Sequence, residues 1–210
     1  MMNEKILSVL GRLEKQERFE QENYDLVPHS EKMLAITPKI GRFYNILLRT
    51  TRATRILEIG TSVGYSTLWF AEALQENSPD SKIITIESDV KKIQQAKKNF
   101  DESGVIDIIE QKCGNALDVL LQIGAETKNS KQKFDFIFID ADKENYVQYF
   151  DASFPLLKVN GIIGADNILL PKRYNRIINQ YLIRVKNNPK VISETIPIDN
   201  GEELTIKLQD

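Results

Sequence analysis

From Arg55 onward the chain alternates short apolar runs with amphipathic stretches, and this alternation constrains the fold more than any other feature. The runs are Arg55 to Gly60, Lys82 to Glu87, Ile106 to Gln111, Phe134 to Asp140 and Gly161 to Asp166. Each is short and rich in β-branched or aromatic residues, which reads as strand. Between them, Leu68, Trp69, Ala71 and Leu74, then Ile93, Ala96 and Phe100 on a helix from Val90, recur at helical spacing. Strands that alternate with helices pair in parallel, and the crossover helices cover both faces of the sheet. The end of the chain differs, because Val191 to Ile198 and Glu203 to Leu208 flank Asp199-Asn200-Gly201, a hairpin signal. The expected fold is α/β, a doubly wound, mostly parallel seven-stranded sheet closed by an antiparallel hairpin.

Ahead of the sheet, Ile6, Leu10 and Leu13 line one face of a first helix, which the stretch from Asn23 to Ser30, with Pro28, ends. A second helix is expected from Thr37-Pro38, with Thr37 as its cap and Phe43, Ile46 and Leu47 facing inward. Asn129 to Lys133 reads as an exposed polar loop. With no repeat or break in composition, residues 1–210 read as a single domain: a helical cap over 1–50 and a core over 55–210.

Charge and rare residues exclude several functions. The 28 Lys and Arg nearly balance the 30 Asp and Glu, a net −2 that gives no electrostatic case for a dedicated DNA-binding protein. Cys113 has no partner for a disulfide and reads as a small buried hydrophobe; His29, the single histidine, reads as a loop residue and excludes a His-rich metal centre. The first residues are charged and no run of about 18 apolar residues occurs, so a cytoplasmic chain with no membrane segment is expected. Lys91, Lys92, Lys97 and Lys98 read as a wet helix face.

In open α/β sheets, ligands bind at the carboxyl ends of the strands, so the strand ends are read together. The first gives Glu58-Ile59-Gly60-Thr61-Ser62-Val63-Gly64-Tyr65-Ser66. Gly60 and Gly64 permit a tight turn with backbone N–H groups close to a ligand, although a turn serving structure alone has the same letters. A dinucleotide fingerprint starting at Gly60 would need glycine at positions held by Ser62 and Tyr65, and a phosphate loop would need Gly-Lys-Ser/Thr where Tyr65-Ser66-Thr67 stands. Glu58 would repel phosphate and suits an ammonium group. Glu87 ends the second strand, where an acid commonly accepts from a ribose diol, or is simply solvated. Asn115 could present its amide to a purine. An ammonium partner, a ribose partner and a base partner without phosphates together describe S-adenosylmethionine (SAM).

The fourth and fifth runs end in Asp140 and in Asp166-Asn167. Neighbouring strand tips lie about 5 Å apart, so these oxygens can converge on a hard cation, Mg²⁺ before Mn²⁺ or Ca²⁺. For Asp140 alone, a helix cap is the competing explanation. Asp142 reads as a cap or surface residue.

At these residues the chain resembles the cation-dependent O-methyltransferases, the caffeoyl-CoA and catechol enzymes and their small prokaryotic relatives. The resemblance runs from about Thr37 to the final hairpin. It is carried by Glu58 through Gly64-Tyr65-Ser66, by Phe134 through Asp140-Ala141-Asp142-Lys143 with Tyr146, and by Gly161 through Asp166-Asn167. It implies Asp140, Asp166 and Asn167 as metal ligands and Lys143, with Asp140, at the centre of catalysis, Lys143 as base. Around SAM it implies Thr37, Glu58, Gly60, Tyr65, Ser66, Glu87, Gly114, Asn115, Ala116 and Asp140. It further implies a small hydroxylated acceptor and a homodimer. Methylation of a hydroxyuridine in tRNA and a non-catalytic SAM-binding module are the alternatives. The stretch Ile168 to Arg176 lacks the Trp and Gly that family members often carry there, and its Lys172, Arg173 and Arg176 could meet an anionic acceptor or simply be solvated.

Overall fold

The structure is a computed structural model of the chain. It describes residues 3–28, 31–130 and 132–210, without the side chains of 128–130, so His29 lies outside the described residues. The strands are β1 (Arg55–Ile59), β2 (Lys82–Glu87), β3 (Ile109–Cys113), β4 (Phe134–Ile139), β5 (Leu157–Ala165), β6 (Val191–Ile196) and β7 (Glu202–Lys207). They form one sheet in the order β3-β2-β1-β4-β5-β7-β6. The first five are parallel, and β7 runs antiparallel between β5 and β6. The strand order reverses between β1 and β4, which opens a crevice at their carboxyl ends. The pairing of Ala165 with Glu203 carries Glu202 to the level of Asp166, just past the end of β5.

The helices are α1 (Glu4–Glu22), α2 (Pro38–Thr51), α3 (Tyr65–Asn77), α4 (Val90–Glu102), α5 (Ala116–Ser130), α6 (Tyr146–Ser153) and α7 (Asn175–Lys186). One core joins Ile6, Leu10 and Leu13 of α1 and Tyr44 of α2 to Phe70, Phe136 and Phe138. The other joins Leu57, Ile59, Ile137 and Ile139 to Tyr146, Phe150 and Tyr181. Each such side chain contributes about 1.5–3 kcal/mol over leaving it in water. None of the described helices is long and apolar enough to cross a membrane.

Several sequence expectations are corrected. Thr37 does cap α2, accepting from the Ile40 N–H at 3.3 Å, but the buried stripe is Ile40, Tyr44, Asn45 and Leu48. Ile46, expected inward, is 65% exposed. The stripe contains polar groups that hydrophobicity cannot reveal: Asn45 Nδ2 donates to Glu72 Oε2 at 2.6 Å, and Arg49 reaches Glu72 at 2.7 Å. The third strand starts at Ile109, because Ile106–Ile108 forms a single 3₁₀ turn. The fifth starts earlier than expected, at Leu157, and α5 takes in the first two residues of the expected polar loop, ending at Ser130, while residues 132–133 lie outside any helix or strand. Cys113, expected to be buried, is exposed at the tip of the edge strand β3. Lys92, expected on a wet face, is buried, and its Nζ donates to the Lys32 carbonyl.

Candidate active site

The turn after β1 is drawn tightly against both neighbouring strands. Gly60 N–H donates to Ile86 O at 3.0 Å, and Asp140 N–H donates to Ile59 O at 2.9 Å. Gly60 has φ +100°, and a Cβ there would lie 2.0 Å from the Asp140 carbonyl oxygen. Gly64 has φ +85°, and a Cβ would lie 2.4 Å from the Phe100 ring. Both positions therefore require glycine through conformation and through space. Gly64 also caps α3 without a side chain of its own, leaving that helix's first N–H groups at the crevice.

Glu58 is fully buried beneath this turn. It accepts from Ser66 Oγ at 2.5 Å, Thr67 Oγ1 at 2.5 Å and Thr85 Oγ1 at 2.6 Å. Burial pushes its carboxyl up to about 7, against the pull of the three hydroxyls, and Asp140 adds to the rise. The Ser66 hydroxyl is thus directed at Glu58. Tyr65 is corrected as a site side chain: its hydroxyl donates to Glu14 Oε1 of α1 at 2.8 Å and its ring packs edge-on against Trp69, so only its backbone stands at the turn.

Glu87 accepts the backbone N–H groups of Ser62 at 2.9 Å, Ser88 at 2.8 Å and Asp89 at 3.0 Å. Gly114 N–H donates to Glu87 O at 3.0 Å, which places the Gly114-Asn115-Ala116 turn beside it. Asn115 Oδ1 caps α5 by accepting from Leu117 N–H at 2.9 Å, so its amide nitrogen is the end left to face a ligand. Thr37 donates to Asp199 in the turn before β7. The strand-tip motifs did not reveal a strap over the Ser62 loop: Met33 O accepts from Ser62 Oγ, and Met33 N–H donates to Glu20 Oε2 at 2.7 Å. Its sequence, Glu31 to Ile36, carries no motif that would have signalled it.

Across the crevice, β4 and β5 bring acids together. Lys143 is buried, and its Nζ donates to Asp140 Oδ1 at 3.3 Å, Ala141 O at 3.1 Å and Tyr146 Oη at 2.5 Å. Tyr146 in turn donates to the carbonyls of Asp166 at 3.0 Å and Ile139 at 3.3 Å, spanning the two strand tips. Asp142 stays at the surface, accepting from Tyr149 at 2.5 Å. Asp166 is raised to about 6 by burial and by Asp140, with Glu202 and Lys143 pulling it down. Asn167 follows with φ +61°, ending the strand direction there.

Glu202, which sequence reasoning missed, completes this side. It is fully buried, and Tyr44 Oη donates to its Oε2 at 2.5 Å. Burial first, and then the neighbouring Asp166 carboxyl, push it up to about 11. Among the described residues, no N–H, ammonium or hydroxyl donates to Asp166 Oδ1 or Glu202 Oε1, both buried. Among the described residues, no three His, Cys, Asp or Glu side chains converge as a metal group. A cation here would therefore rest on two carboxylates and the Asn167 amide.

The O-methyltransferase family model matches residues 13–207. The chain belongs to this family. It is 38% identical to a catechol O-methyltransferase from Niastella koreensis over 65% of its own length, but only 59% of that protein's. It is 30% identical to a caffeoyl-CoA O-methyltransferase from Eucalyptus gunnii, over 86% of this chain and 77% of the relative. Among solved structures, an O-methyltransferase from Bacillus cereus in complex with SAH superposes with a TM-score of 0.78 at 27% identity, covering 95% of this chain and 90% of the other. A Streptomyces achromogenes O-methyltransferase in complex with SAM gives 0.79 at 27%, covering 94% and 89%. The seven-stranded sheet of this O-methyltransferase, with its antiparallel end, is the fold of those neighbours.

Proposed function

We propose that this O-methyltransferase transfers the methyl group of SAM, with the help of a divalent cation, to one of two vicinal hydroxyls on a small catechol-like acceptor. The observation that carries this reading is the pair Asp140 and Asp166 on adjacent strand tips, with the Lys143 ammonium at 3.3 Å from Asp140. Two carboxylates against one ammonium leave an excess of negative charge, which suits a hard divalent ion and disfavours an anionic ligand. Asp166 Oδ1 supports the fit, since among the described residues no N–H, ammonium or hydroxyl donates to it. Asp140, Asp166 and Asn167 would hold the ion. When bound, such an ion lowers the pKa of an oxygen it ligates, as water falls from about 16 to about 7.

The chain's own residues supply the rest. Glu58, buried below the glycine turn with Ser66 at its side, would fix the ammonium end of SAM. Glu87 would hold the ribose, and the Gly114-Asn115-Ala116 turn the base, with the SAM- and SAH-bound neighbours in support. Once it has given its own proton to solvent, the neutral Lys143 amine, positioned by Asp140 and Tyr146, would take the acceptor's hydroxyl proton at Nζ. The test is transfer of labelled methyl from SAM to catechol, with EDTA and then with restored Mg²⁺. Loss in chelator and recovery with Mg²⁺ are expected; an unchanged rate in EDTA would overturn the cation's role.

A further inference from the structure

We propose that Asp199 is a positioning residue for the acceptor, tying the segment that follows Asn167 to the strap over the Ser62 loop and so joining the two sides of the crevice across its mouth. This rests on the reading of the crevice as the methyl-transfer site, with Asn167 beside the acceptor. Hydrogen bonds run from one side to the other. Glu87 accepts from the Ser62 N–H at 2.9 Å, and Ser62 Oγ donates to Met33 O of the strap. At the far end of the strap, Thr37 Oγ1 donates to Asp199 Oδ2, and Lys39 Nζ meets Asp199 Oδ1 at 3.2 Å. The same turn then holds the acceptor side. Gly201 O accepts from Ile168 N–H at 3.0 Å, and Asn200 O accepts from Leu169 N–H at 2.8 Å and Leu170 N–H at 3.2 Å.

The turn touches that segment closely, since a Cβ on Gly201, φ +86°, would come within 2.4 Å of Leu169 Cγ. Ile168 is buried and anchors the segment, whereas Leu169 and Leu170 are 43% and 42% exposed. These leucines follow directly on Asn167, so an aromatic ring whose oxygens are held there has them as its nearest apolar support. Reversing the chain needs only a residue that tolerates φ +49° at position 199, which glycine or asparagine does as well as aspartate. Both carboxylate oxygens of Asp199 face Thr37 and Lys39 instead, so the side chain serves the tether and the backbone serves the turn. The Thr37 hydroxyl is committed in the same way: its hydrogen goes to Asp199, and its oxygen accepts from Ile40 N–H at 3.3 Å.

The experiment deletes the tether and keeps the turn. Asp199→Gly retains the positive φ without the carboxylate, and Asp199→Asn retains an oxygen for Thr37. Both full-length variants are compared with wild type by steady-state kinetics with catechol and SAM, and by hydrogen exchange of the peptide carrying Ile168 to Leu170. Asp199→Gly should raise the catechol KM by about 3–30-fold and quicken exchange of those amides by a similar factor, with kcat and the SAM KM close to wild type. Asp199→Asn should restore both readings. An unchanged catechol KM in Asp199→Gly overturns the proposal, even if exchange quickens. It is equally overturned if the SAM KM rises as much as the catechol KM, or if Asp199→Asn behaves as Asp199→Gly does. Should Asp199→Gly fail to fold, Thr37→Val removes the same hydrogen bond from its other end, and an unchanged catechol KM there overturns the proposal. A wild-type chain that binds SAH but methylates no catechol would instead remove the acceptor reading itself, and this inference with it.

Discussion

The two sides of the crevice differ in how their acids are satisfied. On the β1–β3 side, Glu58 accepts three hydroxyl hydrogens and Glu87 three backbone N–H groups. Those carboxyls are fixed within the protein, so a ligand meets a preformed surface. On the β4–β5–β7 side, Asp140, Asp166 and Glu202 share little beyond Lys143 and Tyr44. Burial first, and then the crowding of acids with so few donors, push Asp166 up to about 6 and Glu202 up to about 11. On the proposed reading, one side would bind by shape and hydrogen bonds and the other by charge.

The sharpest way to test that division is to disable one side and measure the other. Lys143→Ala should lower kcat by about 10²–10⁴-fold while SAM affinity, measured by calorimetry, stays within a few-fold of wild type. Equal loss of both would mean that the two sides are not separable. Gly60→Ala attacks their junction: its Cβ would meet Asp140 O at 2.0 Å, so a loss of about 3 kcal/mol or more in denaturant unfolding is expected, with SAM and Mn²⁺ binding failing together.

Glu58 gives a prediction in which stability and binding move in opposite directions. Its folded value, about 7, lies above its ordinary 4.5, so the folded chain holds this proton more tightly than the unfolded chain does. That contribution is complete below pH about 4.5 and is lost as pH rises through about 7. Glu58→Gln should therefore stabilise the ligand-free protein by roughly 1–3 kcal/mol at pH 8, leave it nearly unchanged at pH 4, and weaken SAM binding. Thermal unfolding at the two pH values checks it; a variant less stable at pH 8 would contradict the burial argument. The smallest effect belongs outside both sides. Arg12→Ala breaks an ion pair with Glu102 at 2.7 Å between half-exposed side chains, and should cost under about 1 kcal/mol with both ligands bound normally.

Much of the fold was legible because strands buried between helices must be apolar, and Arg55 to Asp166 shows that pattern five times. The hairpin was equally plain in Asp199-Asn200-Gly201. Asp140, Lys143 and Asp166 stand together because parallel strands end at one edge, which follows from the alternation alone. The misread features share another origin. Phe43 and Leu47 pack against the core as expected, but Asn45 and Lys92 are buried with polar partners, so a hydrophobic stripe misplaces Ile46 on α2 and an exposed face is expected for Lys92. Glu202 sits in a Glu-Glu pair that looks like a solvated strand end. Only the insertion of β7 between β5 and β6 turns it inward, and strand order within a sheet is not written locally. Tyr65 lies inside the glycine motif, yet Glu14, far away in sequence, claims its hydroxyl.

The missing Cβ of Gly60 carries a consequence for how such a catalyst can change. The floor of the proposed methyl-donor site and the tip bearing the candidate cation ligand touch through bare backbone, so no side chain can act as a spacer between them. On the proposed reading, acceptors of other sizes would have to be accommodated from the rim, by remodelling segments such as Ile168 to Arg176, because the proposed donor and cation sites meet at a contact with no adjustable part.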